Sequence, residues 1–211
     1  MDEMIRIIRK FLTLIILLSI TFSSSADPID DYIAVSLYLG GRISSDLTDN
    51  QTGEPVKASD DFAQTLAFTW HHSRNKEGEL LFSNASQDIQ VSGENNSSAE
   101  LNTTYLHFGG RALFTKPDSA FSSSVGLGLG ATFLTPDESK YDNEIALSGN
   151  ISGGIRYQLN DKWALRSDLR IYGTVLNSNN SLFCGEGQCL VKLEGEVYVQ
   201  TDLMAGVEYK F

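Results

Sequence analysis

The last fifteen residues, Val197 to Phe211, alternate without a break. Val197, Val199, Thr201, Leu203, Ala205, Val207, Tyr209 and Phe211 fall on one parity. Tyr198, Gln200, Asp202, Met204, Gly206, Glu208 and Lys210 fall on the other. Strand side chains point to opposite faces in turn, so this segment predicts a strand with one apolar face and one polar, charged face. The same period recurs seven times upstream. It predicts strands over about Tyr32–Ile43, Phe62–His72, Glu79–Val91, Leu101–Phe114, Ala120–Leu134, Glu144–Tyr157 and Trp163–Leu176, with the eighth starting near Lys192. The third has the weakest pattern: Leu80 and Phe82 share the outer parity with Asn84 and Ser86, so this strand is expected to rise above a bilayer. In the fifth, Val125, Leu127 and Leu129 alternate with Ser122, Ser124, Gly126, Gly128 and Gly130, which predicts a stripe of small residues on the inner face.

The connections alternate between long and short. Asp46 to Asp61, Gly93 to Ala99, Thr135 to Asn143 and Asn177 to Val191 are polar and read as loops. Ser73 to Gly78, Thr115 to Ser119 and Gln158 to Lys162 are shorter, the last two reading as tight turns. Long connections at one end and short turns at the other are the pattern of a transmembrane barrel, in which lipid lies outside and polar groups lie inside. A soluble barrel would turn its apolar face inward, and here the charged parity would have to fill that core. The fold class read from the chain is therefore all-β, an eight-stranded antiparallel up-and-down transmembrane β-barrel. Trp70, Phe114, Tyr157, Trp163 and Phe211 fall at the turn end and are expected to form an interfacial girdle there.

The N-terminus changes the picture by naming a compartment. Arg6, Arg9 and Lys10 precede the apolar run Phe11 to Ile20, and Ser24-Ser25-Ala26 offers small residues for cleavage. Residues 1–26 read as a cleaved signal peptide and 27–211 as the barrel domain. The run is shorter than the roughly 20 residues of a spanning helix. The whole chain carries a net charge of −11, and loss of the leader leaves 13 basic against 25 acidic residues, a net −12. That excess disfavours a nucleic-acid partner.

In an oxidising compartment Cys184 and Cys189, with four residues between them, are expected to form a small loop disulfide. No nearby histidine or further cysteine completes a metal site, and no cofactor motif is read. The glycines of strand five resemble a phosphate loop only superficially, because no helix pattern follows them.

An eight-stranded barrel is just wide enough for side chains to fill. Its inner parity holds Arg111, Arg156, Arg166, Asp168, Arg170, Asp202 and Glu208, and confined charges need partners. Pairing Trp163 with Phe211 places Arg166 opposite Glu208, Tyr172 opposite Asp202, and Arg170 one diagonal step from Asp202. The expectation is an interior charge network centred on Arg166 and Glu208, a closed lumen and no catalytic residues. His71 and His72 point to opposite faces, and His107 reads as an inward polar residue.

The leader, the eight alternating strands and the terminal Tyr209-Lys210-Phe211 resemble the small OmpA/OmpX-like outer-membrane barrels of Gram-negative bacteria. Gly78 to Ser83, Tyr105 to Gly110, Tyr172 to Thr174, Leu182 to Cys184 and Cys189-Leu190 look like a subgroup of proteobacterial porin-family barrels. This resemblance implies a Gram-negative outer-membrane location and recognition of the last strand by the barrel assembly machinery. It also implies contact with outer-membrane lipid and lipopolysaccharide, and a monomer. The expected function is non-enzymatic, structural or surface-interacting through the extracellular loops. The alternatives are an OmpW-like barrel passing small or apolar solutes and, behind it, a lipid A-modifying enzyme.

Overall fold

The alternation becomes eight long strands because each apolar parity finds the same outer surface and each polar parity the same interior. A computed structural model describes residues 32–45, 47–48, 55–73, 75–91, 97–115, 119–137, 143–176, 184–185, 188–189 and 197–211. The leader 1–26 lies outside the described residues. The barrel strands are β1 (Ile33–Ser44), β2 (Asp61–Ser73), β3 (Lys76–Val91), β4 (Ser97–Thr115), β5 (Phe121–Pro136), β6 (Glu144–Gln158), β7 (Trp163–Val175) and β8 (Val197–Lys210). Each pairs antiparallel with its neighbour in sequence, and β8 returns to pair with β1, so the sheet has no open edge in its wall.

The faces are inverted relative to a water-soluble protein. Leu127 and Leu129 are each 70% exposed on the outside, whereas Arg42, Arg170, Asp202 and Glu208 are fully buried inside. Water would penalise both arrangements together; a hydrocarbon exterior with a polar lumen stabilises both. At the turn end Phe121 packs on Tyr157 at 4.6 Å, Trp163 on Tyr209 at 4.8 Å, and Tyr209 on Phe211 at 5.0 Å, so aromatic rings gather where the wall meets the interface. Trp70 reaches across to Phe108 at 5.5 Å, lying over Gly78, whose missing side chain leaves room for the indole.

β3 and β4 are 16 and 19 residues long, well past the roughly 9–11 that cross a bilayer. Their outer parity turns polar toward the loop end: Asn84 donates to Asn102 at 2.7 Å and to Thr104 at 2.8 Å, and Asn102 donates to Ser86 at 3.0 Å. The weak apolar pattern of this region is the part of the wall that leaves the hydrocarbon.

Several boundaries differ from the sequence reading; β5, for one, runs on to Pro136, inside an expected loop. β3 begins at Lys76, so Glu77 and Gly78 are wall and not connection. β4 begins at Ser97, inside the expected loop. The stretch read as a loop from Asp46 to Asp61 contains Leu47–Thr48 and Pro55–Ala58, and Pro55–Ala58 pairs with the upper end of β3. Leu47–Thr48 pairs in turn with Pro55–Ala58, so backbone pairing, and not hydrophobic alternation, holds these short pieces. Among the turns, Gln158 to Lys162 is closed by Asn160, whose side-chain oxygen accepts from the amides of Lys162 and Trp163 at 3.0 Å.

Register is the substantive correction. Trp163 stands opposite Tyr209, not Phe211, so β7 and β8 are displaced by two residues from the expected pairing. The faces are unchanged because a shift of two preserves parity. Following hydrogen-bonded partners once round the wall leads from Ala34 through Thr69, Glu79, Gly109, Gly128, Asn150, Tyr172 and Gln200 to Ser44, ten residues further along β1. That stagger sets the tilt and the width of the lumen.

Candidate functional site

The inner wall is uneven. β5 contributes Gly126, Gly128 and Gly130 to the lumen, and side chains from adjoining strands occupy the space this leaves. A Cβ on Gly126 would come within 2.7 Å of Ser152 Oγ and 2.9 Å of Arg111 Cγ, and one on Gly128 within 2.8 Å of Asn150 Nδ2. The small-residue stripe is thus a cradle for long polar side chains and not a ligand loop.

Charged side chains fill the lumen in three sets, in each of which arginines and carboxylates are equal in number. Near the turn end, Arg166 Nη1 lies 2.7 Å from Glu208 Oε2, and Arg156 pairs with Glu208 and, at 3.6 Å, with Glu77. The Tyr32 hydroxyl donates to Glu77, while the Lys210 ammonium lies 4.6 Å from the centre of the Tyr32 ring. In the second set Arg170 grips Glu79 with both Nη atoms, at 2.8 and 2.9 Å, and contacts Asp168 at 3.1 Å. Arg111 Nε lies 2.8 Å from the same Glu79, and Arg111 also pairs with Asp168, closing a ring of two cations and two anions.

In the third set Arg42 holds Asp202 through Nε to Oδ1 at 2.7 Å and Nη2 to Oδ2 at 2.8 Å. Arg42 also donates to Ser83 Oγ at 2.7 Å, and its guanidinium carbon lies 4.9 Å from the centre of the Tyr105 ring, which stacks on Tyr172 at 4.2 Å. Bidentate, desolvated arginine–carboxylate pairs are the arrangement in which buried charges are best compensated.

Above the ionic sets the lumen becomes neutral. Tyr105 donates to Gln200 at 2.5 Å, Gln200 donates to Ser44 at 2.7 Å and to Gln87, and Thr132 meets Thr174 at 3.0 Å. Leu101, Leu134 and Leu176 point inward beyond this belt and are fully buried, so the interior is not polar along its whole length.

One neutral cluster has the connectivity of a nucleophile, a base and an orienting amide. Ser148 Oγ lies 2.7 Å from His107 Nε2, and Asn150 Nδ2 lies 2.6 Å from His107 Nδ1. Serine, histidine and asparagine are 2%, 1% and 7% exposed, so the three satisfy one another inside the packed lumen. Among the described residues no group of three metal-ligating side chains occurs.

All seven charges expected inside are inside; the expected Arg166–Glu208 pair forms, whereas Arg170 and Asp202 take partners other than those of the expected register. Arg166 stands opposite Gly206 and reaches Glu208, one diagonal step along β8, at 2.7 Å. Arg170 stands directly opposite Asp202, yet it pairs with Glu79 and Asp168 while Asp202 takes Arg42. The seven alone hold four arginines and three carboxylates. Arg42, Glu77 and Glu79 bring the lumen to five of each. Glu79 shares the inner parity of β3, opposite Leu80 and Phe82, and could have been found from that. Glu77 is hidden by the turn-like Gly78. Cys184 stands opposite Cys189 in a two-residue ladder, Cys184–Gly185 with Gln188–Cys189.

No family model matches the chain, and no curated protein matches it. Solved structures do. The outer membrane protein OprG from Pseudomonas aeruginosa superposes with a TM-score of 0.60 at 19% identity, covering 86% of this chain and 95% of that one. Neisserial surface protein A superposes at 0.56 with 12% identity, covering 86% and 97%. Ail, the attachment invasion locus protein of Yersinia pestis, was solved with the heparin analogue sucrose octasulfate; it superposes at 0.52 with 11% identity, covering 87% and 100%. At these identities the likeness is one of fold, and the fold is that of the small outer-membrane β-barrels.

Proposed function

We propose that this chain is an integral protein of the Gram-negative outer membrane, non-enzymatic, with a closed lumen, acting structurally and through its extracellular loops. The observation that carries this reading is the lumen itself. Five arginines and five carboxylates cross it in paired sets, and buried leucines follow them toward the loop end. A path for ions or solutes would have to separate desolvated pairs, and breaking one such pair costs about 3–5 kcal/mol. Passage of small apolar solutes through the barrel axis meets the same obstacle. The five arginines and five carboxylates of the lumen cancel, so the acidic surplus of the sequence lies outside this set.

We extend this proposal to the surroundings of the barrel. Outer-membrane lipid and lipopolysaccharide cover the apolar belt, the assembly machinery engages the last strand, and the barrel works as a monomer. The expected disulfide between Cys184 and Cys189 staples the hairpin that joins β7 to β8. Planar-bilayer recording of the purified, folded protein tests the closed lumen: the expected record has no stable conducting state, and a steady open level would overturn the reading. Deleting the Asp46–Asp61 connection and measuring adhesion of cells carrying the protein tests the surface role.

A further inference from the structure

Seven of the eight strand pairings join neighbours in sequence, so a turn or loop ties their ends together. The pairing of β1 with β8 has no such tether, and its register fixes the stagger of the entire barrel. Parity alone permits slips of two residues in either direction. We infer that the closing seam carries its own register code, written on its inner face by Tyr38 with Gly206, Gly40 with Met204, and Arg42 with Asp202.

The three pairs are complementary in size or charge, and each is spoiled by a slip. Tyr38 covers Gly206, where an added Cβ would come within 2.8 Å of its ring. Gly40 faces Met204, and a Cβ there would come within 2.7 Å of the Met204 Cα. Arg42 and Asp202 are direct cross-strand partners and form the bidentate pair at 2.7 and 2.8 Å with both side chains fully buried.

A slip of two residues one way sets Arg42 against Gln200 and Tyr38 against Met204. The other way sets Arg42 against Met204 and Tyr38 against Glu208. Either slip separates two buried opposite charges and replaces a ring-on-glycine contact with two large side chains. Single polar or charged pairs are known to specify register where hydrophobic packing is indifferent. The seam is where this barrel needs such a device, since its outer face, Leu37, Leu39, Leu203 and Val207, is equally apolar in every even register.

Oxidative cross-linking reads the register directly. In a C184S/C189S background, L39C/A205C reports the native register, and L39C/L203C and L39C/V207C report the two slips. The folded protein with its native seam is expected to cross-link at 39–205 alone. R42Q/D202N is expected to spread cross-links to 39–203 or 39–207. D202M/M204D, which moves the acid two residues along β8, is expected to shift them to 39–207.

Cross-linking confined to 39–205 in both folded variants overturns the proposal. Should R42Q/D202N give no folded, heat-modifiable band, E79Q/R170Q, which neutralises a pair away from the seam, is compared. Folding of E79Q/R170Q alone supports the seam code, and equal failure of both overturns it.

Discussion

Arg170 on β7 and Glu79 on β3 meet across the lumen through two parallel hydrogen bonds, 2.8 and 2.9 Å long, although 91 residues separate them in sequence. Glu79 also receives Arg111, so one carboxylate holds two cations in place. The contact ties opposite walls of the barrel, which strand pairing alone does not do.

Glu79→Gln removes the shared anion and leaves Arg111 and Arg170 with one carboxylate, Asp168, between them. The expected loss is about 3–5 kcal/mol, the cost of breaking a buried pair by one partner. Urea unfolding of the refolded protein in detergent micelles measures it. The double variant Glu79→Leu with Arg170→Met, which removes both buried charges, is expected to lose less than the single one. A single-variant midpoint equal to that of the unaltered protein would remove Glu79 from the network's keystone position.

Leu127 is 70% exposed on the outer face of β5, midway along the strand. Placing arginine there sets a charge in hydrocarbon, with an expected cost of about 2–4 kcal/mol near the bilayer midplane. Thr115→Arg, at the turn end of β4, should cost far less. The ratio of folded to unfolded protein after insertion into vesicles distinguishes the two. Equal tolerance of both arginines would place Leu127 outside the membrane.

Cys184 and Cys189 are direct partners in the short ladder of the last connection. In protein taken from the envelope without reductant, maleimide labelling followed by intact-mass measurement is expected to find neither thiol reactive. After reduction both should label. So small a ring contributes roughly 2 kcal/mol and acts locally, so the reduced barrel keeps its heat-modifiable gel mobility. Labelling before reduction would show free thiols.

Much of the molecule was legible without coordinates because a strand's period of two is a strong signal. Which residues form the eight strands, which face each presents, the inversion of apolar and charged surfaces, and the burial of Arg166, Asp168, Arg170, Asp202 and Glu208 all follow from parity. The short pieces Leu47–Thr48 and Pro55–Ala58 were not legible, because backbone pairing holds them, Pro55–Ala58 on β3 and Leu47–Thr48 on Pro55–Ala58.

Parity was silent on one further quantity, register shifts by whole multiples of two residues. Trp163 opposite Phe211 and Trp163 opposite Tyr209 satisfy the same alternation, yet only the second gives the ten-residue stagger of the closed wall. That stagger decides which charges meet across the lumen. It sends Arg170 to Glu79 instead of Asp202 and Asp202 to Arg42, while Arg166 still meets Glu208. The sequence by itself determined the faces, since each side chain's direction is a local property of its strand. The tertiary structure decided the partners, since closure of the last strand on the first is a condition on all eight strands at once.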